Sequence, residues 1–312
     1  MKIIQLVGAR PQFVKLAPLS KLIRQSHKEI IIHSGQHYDY QMNEVFFAQM
    51  GIPEPDYYLN IGSGSHGVQT AHILEALEPI LMKEKPDWLL VYGDTNTTLA
   101  GVLASSKLGI RTAHVEACLR SFNKAMPEEI NRIVADHLAD LLLVPTPTGM
   151  VNARKEGLLE KAQLVGDVMT DSLSMGLEAA DVYGVTAIQP GSYSLLTLHR
   201  PYNVDDPQQL VHILKSLNTL GRTILFPVHP RTARLLDEET RSRFGSIRFL
   251  DPLGYLEFLV CMSGADMVLT DSGGIQKEAY ILRRPCVTLR TETEWLETVE
   301  SGWNLLLPPQ DE

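Results

Sequence analysis

Short apolar runs alternate with longer helical segments along almost the whole chain of 312 residues. Runs of this kind are typical of buried strands, and the segments between them are long enough to form crossover helices. Because parallel strands need such crossovers, the alternation predicts parallel sheets that carry helices on both faces. The predicted strands are residues 3–7, 29–33, 88–92, 112–115, 141–144, 194–198, 223–228, 267–270 and 286–289.

The length of the chain and a break in its regularity predict two domains. A chain of this size exceeds the usual single domain, and an irregular stretch containing Pro190-Gly191 separates the two halves. We predict a first domain at residues 1–168 and a second at residues 169–312. The expected fold class is therefore α/β, with two Rossmann-like doubly wound domains that face a cleft, where ligands bind beyond the carboxyl ends of the strands.

Composition argues against several classes of function. The formal net charge of −9 argues against nucleic acid as the main partner, because phosphate backbones require a basic surface. No apolar stretch approaches the ~18 residues of a membrane-spanning helix, and the N-terminus is interpreted as the first strand and not as a signal peptide. Three widely spaced cysteines suggest neither a metal site nor a disulfide set, so we expect a reducing compartment, the cytoplasm.

A candidate phosphate site lies in residues 266–278, where an apolar strand leads into Ser272-Gly273-Gly274 and then into a helix. Glycines let a ligand approach the backbone closely, and the free N–H groups of a first helical turn attract an anion. The stretch therefore predicts a seat for a phosphorylated ligand. The alternative is an ordinary serine N-cap with a glycine turn, which has the same sequence.

Basic residues follow other predicted strands and could complete an anion site. Arg10 and Lys15 follow the first strand, while His199 and His229 each stand beside an arginine at a strand end of the second half. Solvated helix-start cations and structural histidines are the alternatives. Glu278, in the helix after the glycines, could bind ribose hydroxyls or remain solvated.

Three carboxylates follow predicted strands of the first half. Asp94 and Glu116 come directly after strands, and Glu128 opens a helix behind Pro127. Like charges that meet in a cleft raise a carboxyl pKa, which suits general acid and base catalysis. Structural alternatives remain, because Asp94 could cap a helix and Glu128 could pair with Arg132 four residues later.

Seven motifs occur together over nearly the whole chain. They are Gly8-Ala9-Arg10-Pro11, Gly35-Gln36-His37, Gly93-Asp94-Thr95, His114-Val115-Glu116-Ala117, Pro127-Glu128-Glu129-Ile130-Asn131-Arg132, Pro227-Val228-His229-Pro230 and Thr270-Asp271-Ser272-Gly273-Gly274-Ile275-Gln276-Lys277-Glu278. Together they resemble the non-hydrolysing UDP-N-acetylglucosamine 2-epimerase family. The resemblance implies a glycosyltransferase-B-like fold, in which UDP is held mainly by the second domain and the sugar faces the first. It also implies reversible inversion at C2 between UDP-GlcNAc and UDP-ManNAc, without nicotinamide, other cofactor or metal.

The resemblance further implies the roles of individual residues. The residues implied in catalysis are the acid and base carboxylates Asp94, Glu116 and Glu128, together with His199. The residues implied in substrate binding are Arg10, Lys15, Arg132, His229, Ser272, Gly273 and Gly274 around the diphosphate and Glu278 at the ribose. The expected partners are a UDP-sugar substrate and a second copy of the chain in a homodimer, with neither nucleic acid nor a membrane.

The sequence departs from the family pattern at three places. Cys118 stands beside Glu116 where the family usually has glycine, which implies an altered loop or a backbone that tolerates a Cβ atom. Tyr202 stands where the family usually has glutamate, which removes an acid from the rim of the pocket. Family members also typically continue several tens of residues beyond the position of Glu312, in helices that close the second domain.

Substrate choice stays open between two sugars. Residues 121–123, 166–169 and 291–295 look closest to the branch that includes epimerases of UDP-2,3-diacetamido-glucuronate, which serve surface polysaccharide synthesis. Some bacterial members are activated by substrate at a second site near a Gln-His motif. Gln36 and His37 match that motif, but residues 62–67 lack the arginine expected there, which argues against such activation.

Two other classes of protein compete with the epimerase interpretation. A retaining glycosyltransferase shares the two-domain fold and the nucleotide-sugar seat, but it needs an acceptor channel. Three carboxylates in the first domain favour epimerisation over transfer. A catalytically silent nucleotide-sugar binder is the second alternative, suggested by Cys118 and by the end of the chain at Glu312.

Overall fold

The structure, a computed structural model of the chain, describes residues 1–35, 46–188 and 191–308. The chain divides into two compact units, Met1–Met175 and Gly176–Glu312. Each unit contains one sheet in which the paired strands are parallel, with helices between most successive strands. The prediction of an α/β protein with two Rossmann-like doubly wound sheets is therefore confirmed.

The sheet of the first unit has seven strands. In chain order they are β1 (Lys2–Val7), β2 (Lys28–His33), β3 (Tyr57–Tyr58), β4 (Trp88–Tyr92), β5 (Arg111–Val115), β6 (Leu141–Val144) and β7 (Ala162–Leu164). The helices are α1 (Arg10–Ser26), α2 (His66–Glu84), α3 (Asn96–Leu108), α4 (Pro127–Leu138), α5 (Pro147–Lys155) and α6 (Val168–Val182), with a short 3-10 helix at Leu159–Lys161. Helix α6 contains the point at which the two units divide.

Strand order in this sheet is β3-β2-β1-β4-β5-β6-β7, so the direction of winding reverses between β1 and β4. At such a switch point the loops after the two strands turn to opposite faces of the sheet and leave a crevice between them. Arg10 follows β1 and Asp94 follows β4, so both candidate residues lie at this edge of the sheet.

Helices that begin at this edge have the expected starting residues. Pro11 and Pro127 lie in first helical turns, where their missing N–H groups are not needed. Thr95 caps α3, and its hydroxyl oxygen accepts a hydrogen bond from the amide of Thr98 at 3.4 Å. The cap of α3 is therefore Thr95 and not Asp94, whose carboxylate is left for other contacts.

The core of the first unit packs the inner strands against α2 and α3. A Cβ atom on Gly101 of α3 would lie 2.8 Å from side-chain atoms of both Leu6 and Val91, so a larger residue there would displace the helix or the sheet. The buried residues of this cluster are Ile4, Leu6, Ile30, Ile32, Leu77, Leu81, Leu89, Val91, Val102, Ala104 and Ala135.

The sheet of the second unit has six strands. They are β8 (Ser194–Thr197), β9 (Ile224–Pro227), β10 (Ile247–Leu250), β11 (Met267–Thr270), β12 (Cys286–Thr288) and β13 (Asn304–Leu306). The helices are α7 (Pro201–Val204), α8 (Pro207–Asn218), α9 (Pro230–Ala233), α10 (Glu238–Ser242), α11 (Tyr255–Gly264), α12 (Gly273–Ile281) and α13 (Leu296–Glu300). Strand order is β10-β9-β8-β11-β12-β13, which puts the switch point between β8 and β11.

The irregular stretch predicted between the domains is only partly described. Residues 183–188 and 191–193 follow α6 without regular structure, and Pro190 lies outside the described residues. Across the described parts of both units, every helix is either too short or too polar to cross a membrane.

Candidate active site

Gln12 ties together the loops at the switch point of the first sheet. Its side-chain oxygen accepts hydrogen bonds from the amides of Gly8 at 2.8 Å and Ala9 at 3.1 Å. Its side-chain nitrogen donates to the carbonyl oxygen of Tyr92 at 2.8 Å and to the Thr95 hydroxyl at 2.9 Å. The loop after β1 and the loop after β4 are thereby held against each other.

Lys15 and Glu116 form an ion pair beside this junction. Each side chain is only 9% exposed, so the two charges neutralise each other where little water is available. A Cβ atom on Gly93 would lie 3.4 Å from a Glu116 carboxylate oxygen and 3.6 Å from the Lys15 ammonium nitrogen. Gly93 also has φ = 60°, so glycine suits both the close approach and the backbone conformation.

Asp94 is held by the helix that carries Glu128. Arg132 of α4 pairs with the Asp94 carboxylate and, at 3.2 Å, with Glu129. Asn131 of the same helix donates to the backbone oxygen of Asp94 at 2.8 Å. The surface pair considered between Glu128 and Arg132 is not formed, because Arg132 turns to Asp94 and Glu129 instead. Glu128 is half-buried, and its side chain makes no hydrogen bond or ion pair within the part of the chain that the structure describes.

The loop after β5 contains three non-glycine residues in the left-handed region of backbone conformation. Glu116 has φ = 67°, Cys118 has φ = 64° and Phe122 has φ = 59°. Conformations of this kind cost free energy and persist where surrounding contacts enforce them, often at functional sites. Buried Glu129 supplies such contacts, since its carboxylate accepts the amides of Ser121 at 2.9 Å and Phe122 at 3.0 Å. The loop therefore tolerates the Cβ atom of Cys118, although the left-handed φ explains why glycine would suit the position.

The predicted phosphate seat of the second unit has the expected local structure. Ser272 caps α12, with its hydroxyl oxygen 3.4 Å from the amide of Ile275. Gly273 is buried, and a Cβ atom there would lie 2.2 Å from a carboxylate oxygen of Glu294. Gly274 is exposed, and a Cβ atom there would meet no atom within 4 Å. The surface beside Gly274 at the start of α12 is therefore open, and the helix dipole favours an anion there.

Asp271, immediately before this seat, organises the loop after β8. Its carboxylate accepts the amides of His199 at 3.0 Å and Arg200 at 2.9 Å and the side-chain nitrogen of Asn203 at 3.1 Å. The His199 ring lies 2.9 Å from the same carboxylate. Burial acts to raise the pKa of Asp271, but the contacts with His199, Arg200 and Asn203 outweigh it and hold the pKa below its usual value.

Asn203 also lines a cavity of about 380 Å³. Its lining includes Tyr202, Arg290 and Thr291. The Arg290 side chain is only 4% exposed and lies 3.3 Å from the carboxylate of Glu294, the residue that crowds Gly273. Tyr202 therefore borders a cavity that also contains a buried ion pair, and burial raises the pKa of its hydroxyl.

The remaining candidate residues differ in their exposure. Arg10 and Glu278 are half-buried, and His229 is exposed at the end of β9. Gln36 and His37 lie outside the described residues. In the described ranges no group of three or more His, Cys, Asp or Glu side chains is arranged to hold a metal ion.

The structure thus brings together Lys15, Glu116, Asp94 and Arg132 in the first unit, and His199 with the Ser272 seat in the second. Sequence reasoning assigned no role to several residues that hold these groups in place. They are Gln12, Glu129, Asn131, Asn203 and Asp271. Of these, Asp271 has the clearest sequence signal, because a lone acid directly after an apolar strand faces the carboxyl edge of the sheet.

Known proteins share this sequence and fold. The sequence model of the family described as UDP-N-acetylglucosamine 2-epimerase matches residues 21–312. A UDP-N-acetylglucosamine 2-epimerase homolog of Methanococcus maripaludis is 50% identical over 98% of this chain and 88% of its own length. The UDP-2,3-diacetamido-2,3-dideoxy-D-glucuronate 2-epimerase of Pseudomonas aeruginosa is 47% identical over the same shares of the two chains.

A solved structure is similar over the same extent. The UDP-GlcNAc 2-epimerase of Methanocaldococcus jannaschii, in complex with UDP-GlcNAc and UDP, has a TM-score of 0.89 and 42% sequence identity. The similarity covers 99% of this chain and 90% of the other. The family model, the sequence identity and the fold therefore agree, and the chain belongs to the UDP-N-acetylglucosamine 2-epimerase family.

Proposed function

We propose that this chain is a non-hydrolysing UDP-N-acetylglucosamine 2-epimerase that interconverts UDP-GlcNAc and UDP-ManNAc. The observation that carries the proposal is the pair of acid–cation contacts, Lys15 with Glu116 and Arg132 with Asp94, at adjacent strand ends of one sheet. Carboxylates poised in this way suit the movement of a single proton, and the relatives named as epimerases support that chemistry.

The chemistry explains why carboxylates and a diphosphate seat are both needed. The C2 hydrogen of the sugar has no neighbouring carbonyl group and is a poor acid. When the C1–O bond breaks, its electron pair leaves with UDP, and the electron-poor C1 makes the C2 hydrogen acidic. A carboxylate takes that proton, and the C2–H electron pair becomes the C1–C2 double bond of 2-acetamidoglucal. Protonation at C2 from the opposite face and return of UDP to C1 give the epimer.

In this proposal the carboxylates of the first unit move the proton, and UDP is held mainly by the second unit with cations of the first. Asp94, Glu116 and Glu128 are the proposed acid and base groups. The groups proposed to bind the diphosphate and the departing UDP are Arg10, Lys15, Arg132, His199, His229, Ser272, Gly273 and Gly274, with Glu278 at the ribose. Support comes from the open amides at Gly274 and from the cations already paired with Asp94 and Glu116.

The second candidate substrate is UDP-2,3-diacetamido-2,3-dideoxy-glucuronate. The Pseudomonas aeruginosa relative named for that substrate is 47% identical to this chain, so the same C2 inversion on the uronate is the specific alternative. In either case we propose a role in supplying precursors for surface polysaccharide. We also propose a cytoplasmic homodimer; the three free, buried cysteines support a reducing compartment.

Deuterium exchange in heavy water tests reaction and substrate together. The protein is incubated in D₂O with UDP-GlcNAc alone or with the diacetamido uronate alone, and deuterium at C2 is measured by mass spectrometry. An epimerase incorporates deuterium at C2 of its substrate, whereas a retaining glycosyltransferase without an acceptor does not. UDP binding without exchange on either sugar would identify a silent binder and overturn the proposal.

Variants of the carboxylates test the assignment of roles. Asp94→Asn, Glu116→Gln and Glu128→Gln should each lower C2 exchange by about 100-fold or more, because each removes a proton-transfer group. UDP affinity, measured by calorimetry, should be largely retained, since none of the three carboxylates is among the groups proposed to bind UDP. Glu75→Gln on the exposed face of α2 is the matched control and should leave exchange unchanged. Full exchange in all three variants would contradict the assignment.

A further inference from the structure

His114 of β5 has both ring nitrogens in hydrogen bonds although no part of the side chain is exposed. One nitrogen, Nε2, lies 2.7 Å from the backbone oxygen of Gly93, directly before Asp94. The other, Nδ1, lies 2.7 Å from the carboxylate of Asp136 on α4. The ring therefore joins the loop after β4 to the helix that carries Glu128 and Arg132.

Asp136 extends this connection to both sides of Glu116. Its second carboxylate oxygen accepts the amide of Cys118 at 3.0 Å. His114 and Cys118, two residues before and two after Glu116, are thus bound to the same buried carboxylate. Glu116 has a left-handed backbone between these two points, a conformation that is unfavourable without such support.

Two residues of β5 hold Gly93 in place, one through its amide and one through its carbonyl oxygen. Its amide donates to the backbone oxygen of Val115 at 3.0 Å, and its carbonyl oxygen accepts from His114. The direction of the chain into Asp94 is therefore determined by consecutive residues of β5. On α4, Asp136 lies one turn beyond Arg132, which pairs with Asp94, so one helix face holds both loops.

The hydrogen-bond partners determine the protonation of the ring. The backbone oxygen of Gly93 can only accept a hydrogen bond, so Nε2 of His114 must donate to it. The Asp136 carboxylate already accepts hydrogen bonds from the amide of Cys118 and, at 2.7 Å, from Arg120, and it is therefore ionised and accepts from Nδ1 as well. Both His114 nitrogens must then carry hydrogen.

Charges around the ring are balanced within the unit. Arg120 binds Asp136 and also makes a two-pronged contact with Glu156, with distances of 2.8 and 2.7 Å. Two cationic and two anionic groups thus form one network, His114, Asp136, Arg120 and Glu156. Burying charges in this way contributes little to stability compared with apolar residues of similar volume. What the network provides is fixed geometry, because hydrogen bonds of a charged ring and a carboxylate form only with groups at defined positions.

We propose that His114, doubly protonated between Gly93 and Asp136, is a positioning residue that fixes the loops of Asp94 and Glu116 relative to α4. The ring does not touch the sugar; it sets where the proposed acid and base groups stand. The catalytic part of this inference rests on the proposed epimerase function, whereas the protonation and the loop positions can be measured without it.

Nitrogen NMR of the protein labelled with ¹⁵N-histidine tests the protonation directly. At neutral pH one histidine should show both ring nitrogens at the shifts of protonated nitrogens, and this signal should be absent from His114→Asn. A His114 signal with one unprotonated nitrogen would overturn the doubly protonated ring.

Two substitutions separate the two hydrogen bonds. His114→Asn can keep the donor toward Asp136 and loses the one toward Gly93, while His114→Gln can keep the donor toward Gly93 and loses the one toward Asp136. Each should lower kcat for C2 exchange by about 10-fold to 100-fold through misplaced carboxylates, with KM and UDP affinity nearly unchanged. Crystal structures of both should show residues 93–94 or 116–118 displaced.

Thr112→Val is the matched control. Thr112 lies on the same strand, two residues before His114, and its buried hydroxyl lies 2.6 Å from the Ser105 hydroxyl. Losing that bond should lower the melting temperature and leave kcat of the folded protein unchanged. If the His114 variants behave like Thr112→Val, or fold with both loops unmoved, the network is structural only and the inference fails. If the unaltered protein exchanges no deuterium, the proposed function fails, and the displacement of the loops still decides the positioning role.

Discussion

Lys15 binds the Glu116 carboxylate although 101 residues separate the two in the chain. The contact forms because β1, β4 and β5 are adjacent in the sheet, and the residues that follow these strands meet at one edge. If one partner were removed, the charge of the other would be almost completely buried and could not be solvated by water. The pair therefore holds a proposed base ionised and in place before substrate binds.

Replacing Lys15 by methionine should destabilise the protein by about 3 kcal/mol, because Glu116 would then be a buried charge without its partner. The double variant Lys15→Met, Glu116→Gln should recover part of that loss, since it removes the unpaired charge of Glu116. Urea unfolding measures both. Lys21→Met, an exposed lysine on the same helix, should change the free energy of unfolding little. Additive losses in the double variant would show that the two side chains do not interact.

Cys118→Val should destabilise the protein by about 2 kcal/mol, because a β-branched residue is strongly disfavoured at φ = 64°. Cys118→Gly should stay within about 1 kcal/mol of the original protein, since relief of the backbone offsets the loss of a buried side chain. Thermal unfolding compares the two. Cys286→Val supplies the control, because that buried cysteine lies in a strand, where a branched side chain suits the backbone. If Cys118→Val and Cys286→Val lose the same stability, the left-handed backbone at Cys118 is not the cause of the loss.

Much of the fold follows from the sequence, and the strands that were not predicted share one physical property. Every strand predicted from an apolar run is an inner strand of its sheet, whereas β3, β7, β10 and β13 are edge strands and were not predicted. An inner strand is buried by neighbours and helices, so its residues must be apolar. An edge strand needs fewer buried residues; in β13, for example, Asn304 is buried and Leu305 is exposed.

The site is predictable as a set of residues but not as a set of contacts. A strand end identifies Asp94, Glu116 and Lys15 as residues of the sheet's edge, because the carboxyl ends of parallel strands share that edge. Which of them meet depends on the order of strands, and the sequence does not contain that order in any local pattern. For this reason the structural alternative for Arg132 was a neighbour on its own helix, Glu128, whereas Arg132 pairs with Asp94 and with Glu129.

Asp271→Asn should lower the free energy of unfolding by about 2 kcal/mol near neutral pH, because the amide cannot replace a charge that accepts several hydrogen bonds. Since the pKa of Asp271 is lower in the folded state than in the unfolded state, this contribution is complete above about pH 5. It is lost as the pH falls through the folded pKa. The difference between the two proteins should therefore shrink in acid, as measured by unfolding at a series of pH values.

Asp251→Asn is the comparison for that series, since Asp251 is an exposed carboxylate of the same unit. Its free energy of unfolding should follow that of the original protein at each pH. A difference for Asp271→Asn that stays constant down to the acid limit would mean that its charge does not stabilise the loop of His199.

Gly273→Ala and Gly274→Ala separate the packing of the phosphate seat from its binding of an anion. A Cβ atom on Gly273 would lie 2.2 Å from Glu294, so this variant should lose stability as well as UDP affinity. A Cβ atom on Gly274 meets no atom within 4 Å, and alanine favours the helix, so Gly274→Ala should be at least as stable as the original protein.

If the diphosphate of UDP lies against the amides at this end of α12, the methyl group added by Gly274→Ala should still weaken UDP binding about tenfold, as measured by calorimetry. A Gly274→Ala protein that binds UDP normally would mean that the anion is held elsewhere, whereas weak binding by a fully stable protein can only come from the approach of the ligand to the backbone.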